Sequence, residues 1–288
     1  MINKQRQHQK SDTHKEVIVV CSAVGGVGRT TITVNLASLS AKQNKKVSIL
    51  DGDLQFGDAA LALDLKLEMT MQEVIENKDI LNSKAYCLHH QTGIELLSAP
   101  SRPEFADLVT PDNLTDILDV MADRSELLLV DTQPGLTDHN IPLLERADRI
   151  LVITTPGMAV LKNTKLMVET FTALGWKQKL SLIVNKSTST SAVDVHEISE
   201  IVQVKETYFL PHDDKHVPLS LDKGCPIILQ NPKISFSKEI TAAAWNIFPD
   251  EWRSQGARKD IPRSFINRLT GWRRKDDEFI SKTAIKKS

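Results

Sequence analysis

The chain has 288 residues, a formal net charge of -1 and 41% hydrophobic residues, enough to bury one large core or two modest ones. The balanced charge excludes a global basic field for nucleic acid, and DNA is not an expected partner. Its three cysteines, Cys21, Cys87 and Cys225, are widely separated and lack metal-ligand spacing, which fits reduced thiols in the cytoplasm. The polar opening, residues 1–14, reads as a disordered tail, with no apolar leader and no membrane span after it.

The first structured stretch, Val17-Ile18-Val19-Val20-Cys21, is short, β-branched and almost uninterrupted, as a buried parallel strand should be. Ser22-Ala23-Val24-Gly25-Gly26-Val27-Gly28-Arg29-Thr30-Thr31 follows, and then a helical pattern carried by Ile32, Val34, Leu36, Ala37 and Leu39 to about Lys42. Strand, glycine-rich turn and helix in that order gather backbone N–H groups and the positive end of a helix dipole around an anion. Gly25, Gly26 and Gly28 would let that backbone approach phosphate oxygens closely, and the amide of Val27 belongs to the same cradle. Compared with G-x-x-x-x-G-K-[ST], Ala23 replaces the first glycine and Arg29 the phosphate-reaching lysine. Thr30 keeps the Mg²⁺-ligand hydroxyl, and Thr31 follows where a hydroxyl can reach the α-phosphate. The plainer reading is a turn that only joins a strand to a helix.

Further strands are expected at residues 46–51, 93–99, 126–131, 149–154 and 180–185, with helices between most of them, notably 113–122 after Thr110-Pro111-Asp112 and 159–174 ending at Gly175. Alternation of this kind predicts an α/β fold: a doubly wound, mainly parallel sheet with helices on both faces, a Rossmann-like three-layer sandwich that binds ligands at the carboxyl ends of its strands. Candidate site residues fall at those ends. The second strand releases Asp51-Gly52-Asp53, carboxylates able to orient a water for in-line attack and hold a metal's water shell, or else an Asp-Gly turn with solvated acids. The run Leu127-Leu128-Leu129-Val130-Asp131 is a Walker B arrangement, whose aspartate binds Mg²⁺ through water, unless Asp131 only caps its strand. Three such strand ends in this order favour a nucleotide site with Thr30, Asp53 and Asp131 as metal-side residues.

With these motifs in place, residues 15–248 resemble the MinD/ParA family of P-loop ATPases with a deviant Walker A loop. Asp51 through Leu65, with Ala99-Pro100 and Asp107-Leu108-Val109-Thr110-Pro111, resembles its TadZ/CpaE branch, which helps localise and assemble the Flp/Tad pilus secretion machine. The resemblance implies a cytoplasmic ATP-sandwich homodimer using ATP and Mg²⁺, with pilus or secretion-machine proteins as partners. It implies that Asn185 contacts the base and that Leu210-Pro211-His212-Asp213 covers it. Guanine readers similar to Asn-Lys-x-Asp place a carboxylate where this chain has Thr188, so adenine is favoured. Without the resemblance, Asn185 is a polar strand terminator.

The departures from the family bear on chemistry. Val24 stands where the signature lysine reaches across the dimer, and an isopropyl group donates no hydrogen bond. Arg29 keeps a positive charge with a different donor geometry. Loss of one phosphate-stabilising cation costs orders of magnitude in transfer rate, by analogy with the ~10³–10⁵ assigned to a catalytic arginine. Asp53 and Arg29 are the candidate catalytic residues, and the expected protein is an ATP-binding dimerisation switch with weak or absent hydrolysis. Its alternatives are a nucleotide-independent scaffold of the same fold and a MinD-like or flagellar-number-type spatial regulator.

The domain expected over residues 15–250 is followed by a basic tail, 251–288. Over 261–275, Ile261, Phe265, Leu269 and Trp272 share a helical face, and the segment resembles the amphipathic membrane-targeting tail of MinD proteins. It is expected either to lie on the inner face of the plasma membrane or to dock on protein. His89-His90 reads as a solvated loop, and His212, Asp213, Asp214 and His216 as loop polarity.

Overall fold

A computed structural model describes residues 15–248 and Trp252; the tail segment 261–275 lies outside the described residues. Two compact units divide the chain, Met1–Ala244 and Trp245–Ser288. In the second unit the ring centroids of Phe248 and Trp252 lie 5.5 Å apart.

In chain order the first unit runs β1 (Glu16–Cys21), α1 (Arg29–Lys42), β2 (Val47–Gly52), α2 (Ala59–Ala62), α3 (Met71–Glu76), β3 (Leu88–His89), β4 (Glu95–Leu97), α4 (Pro111–Arg124), β5 (Leu127–Thr132) and α5 (Asn140–Arg146). It continues with β6 (Arg149–Thr154), α6 (Met158–Ala173), β7 (Leu180–Val184), α7 (Ile198–Val202), β8 (Thr207–Phe209), α8 (His216–Asp222), α9 (Ile227–Gln230) and α10 (Ser235–Ile247), the last crossing into the second unit. Among the described residues the strands form one sheet in the order β3-β4-β2-β5-β1-β6-β7-β8. Every pairing is parallel except β3 with β4. This is the expected doubly wound α/β architecture, and both edges are short strands of two or three residues, which limits edge-to-edge association.

The central strands β1, β2 and β5 are buried at every residue, the condition for near-continuous apolar runs. Each Val, Ile or Leu there contributes about 1.5–3 kcal/mol by burial. Val17, Val19, Leu50, Leu128 and Val130 join one core cluster with residues of α4, α5, α6 and α7. The alternate residues Ile18, Ile49 and Leu129 face the other side, where α1 packs on β2 and β5. The register continues that alternation to Asp51 opposite Asp131, so these two carboxylates emerge on the α1 side.

Helix α1 is buried on nearly all faces, more than an amphipathic pattern predicts, and its polar side chains turn inward upon its own backbone. Thr33, Asn35, Ser38 and Ser40 each donate to the carbonyl four residues earlier, at 2.7–3.1 Å, so the buried polar groups are satisfied. Helix α4 begins at Pro111, with Thr110 and Asn113 in a reciprocal cap, and buries Leu114, Ile117, Leu118 and Met121. Helix α6 ends where Gly175 takes φ 82°. His90 corrects the solvated-loop reading: it is 8% exposed, and its Nδ1 lies 2.7 Å from Thr92 Oγ1 in the turn between β3 and β4. No helix among the described residues is long and apolar enough to cross a membrane.

Candidate nucleotide site

The loop between β1 and α1 opens onto a cavity of about 540 Å³ lined by Gly26, Gly28, Arg29, Thr30, Thr31, Asp53, Asn185 and Pro211 among others. Strand ends bring these residues together: β1 delivers the loop, β2 delivers Asp53, and the segments after β7 and β8 deliver Asn185 and Pro211. Gly26 and Gly28 adopt φ 72° and 98°, conformations that L side chains rarely take. A Cβ on Gly28 would also stand 2.5 Å from Asn185 Nδ2. Gly25 and Gly26 are exposed, while Val27 is buried, and neither Gly25 nor Val27 is among the residues lining the cavity.

Asn185 braces this loop from behind. Its amide nitrogen donates to the Val27 carbonyl at 2.8 Å, and its oxygen accepts from the Lys186 amide at 2.9 Å. The loop carrying Pro211 is tied back by the His212 amide, which donates to Thr188 Oγ1 at 3.0 Å. His212, Asp213 and Asp214 line the cavity. His216 Nδ1 lies 3.0 Å from Asp213 Oδ2; burial is the largest single effect on the Asp213 carboxyl and raises its pKa, but the hydrogen bonds and charge of His216 with the Lys215 amide together outweigh it and hold the pKa below its ordinary value.

The carboxylates divide by role. Asp51 is fully buried and accepts from the amides of Asp53 and Ala59, each at 3.3 Å, so it shapes the turn after β2 and is absent from the cavity lining. Burial, reinforced by the neighbouring Asp131, raises its pKa well above the carboxylate range. Of the pair leaving β2, Asp53 alone lines the cavity. Asp131 is 1% exposed, and neither of its oxygens has a hydrogen-bond partner among the described residues. Burial pushes its pKa up to about 7, opposed by the nearby Thr30 hydroxyl, which falls short of full hydrogen-bond geometry, and by the Arg29 charge.

Arg29 is turned inward, at 9% exposure. Its Nη1 donates to Ser22 Oγ at 2.7 Å and, less closely, to the Val24 carbonyl at 3.4 Å; its Nη2 pairs with Asp53 Oδ2 at 3.2 Å. Its Nε is buried and unpartnered. The cavity is open, and neither Val24 nor Arg29 closes it.

These residues fit a magnesium nucleotide. The positive-φ glycines form a cradle that a Cβ would disturb, and the orphaned Asp131 oxygens beside Thr30 match the needs of a metal's water shell. No three acidic, histidine or cysteine side chains among the described residues converge into a cage for a bare metal ion, so water and phosphate oxygens would complete the shell. Thr30, Asp53 and Asp131 would hold Mg²⁺, which supplies charge neutralisation at the phosphates when bound.

Ser22 escaped the sequence reading, as did the apolar wall of Phe56, Leu61, Val217, Leu221 and Phe236. Exposed Phe56 and Leu61, at 70% and 65%, follow Asp53 within a few residues and were a readable signal. The walls from α8 and α10 had none, since they arrive from far along the chain.

A profile of the ParA family, described as the NUBPL iron-transfer P-loop NTPase, matches residues 13–247. The chain belongs to the ParA family. This ParA-family protein is 25% identical over 254 residues to an uncharacterized ATP-binding protein of Methanocaldococcus jannaschii, covering 88% of this chain and 94% of that one. It is 25% identical over 223 residues to the septum site-determining protein MinD of Synechocystis, covering 74% and 82%. Its fold matches the septum site-determining protein MinD of Pyrococcus horikoshii, solved with Mg-ADP, at a TM-score of 0.74 and 19% identity over 82% of this chain and 97% of that one. The ParA-family assignment agrees with the MinD/ParA resemblance read from the loop and the two aspartates.

Proposed function

We propose that this protein is an ATP-binding dimerisation switch with weak or absent hydrolysis, acting in the cytoplasm to localise or help assemble a Flp/Tad-type pilus or secretion machine. The observation that carries the nucleotide reading is Asp131, a buried carboxylate whose oxygens find no hydrogen-bond partner among the described residues, held behind Thr30 and Arg29, which themselves line a glycine-edged cavity. Folding tolerates such a group where a ligand completes it. Weak turnover is supported by the cations: Val24 donates nothing, and the Arg29 guanidinium is already engaged by Ser22 and Asp53. Asp53 would orient a water only when released from that pair.

The pilus assignment is supported by the similarity of Asp51 through Leu65 to the TadZ/CpaE branch. That stretch forms one wall of the cavity and leaves Phe56 and Leu61 exposed at its rim, where a partner or a second copy could sense the nucleotide. The spatial-regulator alternative draws on the septum site-determining MinD relative and on the antiactivator FleN of Pseudomonas aeruginosa, 30% identical over 126 residues, or 43% of this chain. Calorimetric titration with Mg-ATP, followed by light scattering for mass, tests the switch. Binding with a doubled mass and little phosphate release is expected. Absence of binding at millimolar ATP, or a dimer indifferent to nucleotide, would favour the scaffold.

A further inference from the structure

Val24 leaves Arg29 as the cation of the phosphate loop, and its guanidinium is held at both ends. On one side Nη1 reaches Ser22 Oγ and the Val24 carbonyl; on the other Nη2 reaches Asp53 Oδ2 across the strand ends at 3.2 Å. The side chains of Arg29 and Asp53 are 9% and 17% exposed, so this pair is far less screened than one at the surface. In a phosphate loop the cation at this position reaches the β- and γ-phosphates. Those oxygens and the Asp53 carboxylate would therefore compete for the same guanidinium.

We propose that Asp53 is an affinity-setting residue that latches Arg29, so that a nucleoside triphosphate enters the cradle by taking the guanidinium away from Asp53. The inference rests on reading the cavity as a triphosphate site. It also joins two uses of Asp53: the carboxylate becomes available to orient water only after the ligand has displaced it. Ser22 is the fixed pivot of the latch. Its hydroxyl accepts from Arg29 and donates to the Val24 carbonyl at 2.7 Å, and its own carbonyl accepts from the Gly135 amide at 2.8 Å. The Gly135 loop is pinned in turn by Asn140, whose Nδ2 donates to the carbonyls of Gln133 and Gly135.

A double-mutant cycle on the full chain tests this, with ATP titrated calorimetrically in EDTA so that loss of a metal-side carboxylate does not enter. Asp53→Asn should tighten ATP binding about tenfold, and Arg29→Met should weaken it; in the Arg29→Met background, Asp53→Asn should change affinity by less than about threefold. Arg29→Gln, uncharged but able to donate to Ser22, replaces Arg29→Met if that variant fails to fold. Unchanged or weaker binding in Asp53→Asn would overturn the latch, as would equal tightening in both backgrounds, which would report simple charge repulsion. If the unaltered protein binds and Asp53→Asn binds equally, the latch fails and the ATP switch stands. If only Asp53→Asn binds, the latch stands and the unaided switch fails. If no variant binds, both fail.

Discussion

At the amino-terminal ends of the strands, charge is paired. Lys45 meets Glu126 at 3.2 Å, the other Glu126 oxygen accepts from the Lys46 amide at 2.9 Å, and Arg149 bridges Glu16 and Glu206. At the carboxyl ends a carboxylate is left incomplete: neither Asp131 oxygen has a hydrogen-bond partner among the described residues and Asp51 is buried beside it, whereas a guanidinium Nε without a hydrogen bond occurs at both ends, on Arg29 and on Arg149, the latter 3.7 Å from Glu16. Both ends belong to the same strands, β1, β2, β5 and β6. The difference marks one end as built for folding and the other as held ready for a charged ligand, in keeping with the site position expected of an open parallel sheet.

The comparison breaks most sharply at Gly28. Gly28→Ala should cost about 1–3 kcal/mol, because it forces a side chain into φ 98° against Asn185, and should abolish nucleotide binding. Denaturant unfolding and calorimetry measure the two effects, and retained binding would show that the cradle is not the phosphate site.

Next comes Asp131→Asn. The folded pKa of Asp131, about 7, lies above the ordinary 3.8, so the folded state holds the proton more tightly than the unfolded chain. Its contribution is fully present below about pH 4 and is lost as pH rises through about 7. Asp131→Asn should therefore raise the melting temperature at about pH 8 by several degrees and flatten the loss of stability between about pH 4 and pH 7. It should also weaken Mg-ATP binding. A variant less stable at high pH would place Asp131 among the structural, satisfied carboxylates instead.

Glu126→Gln at the opposite end should lose about 1 kcal/mol with nucleotide affinity unchanged, since it breaks a half-buried pair remote from the cavity. Lys15→Ala should change stability by less than about 0.5 kcal/mol, because Lys15 and Asp123 are 40% and 67% exposed. A change in nucleotide affinity from either substitution would blur the division between the two ends.

Much of the fold was legible. Residues 149–154 form β6 with the predicted bounds, and the Thr110-Pro111 signal starts α4, although the helix begins two residues before the expected 113. Strong alternation and caps are local, and they act before any distant contact forms. The strand expected at 93–99 is only Glu95–Leu97, because it lies next to the sheet edge, where its outer neighbour β3 pairs with it over just two residues. Two carboxylates after β2 looked equivalent in sequence. Burial separates them, with Asp51 taken by the amides of Asp53 and Ala59 and Asp53 turned to the cavity.

The sequence by itself determined the strand–loop–helix that can receive phosphate, the order of α/β units and the placing of Asp53 and Asp131 at strand ends, because each follows from short-range pattern and the two-residue period of a strand. Tertiary structure alone decided that Arg29 turns inward to Ser22 and Asp53, that Asn185 supports the Val27 carbonyl, and that α8 and α10 supply apolar wall to the cavity. Those hydrogen bonds join residues from 7 to 158 positions apart, and their partners are chosen by the packing of α1 against the sheet, where buried donors and carboxylates must find one another or wait for a ligand.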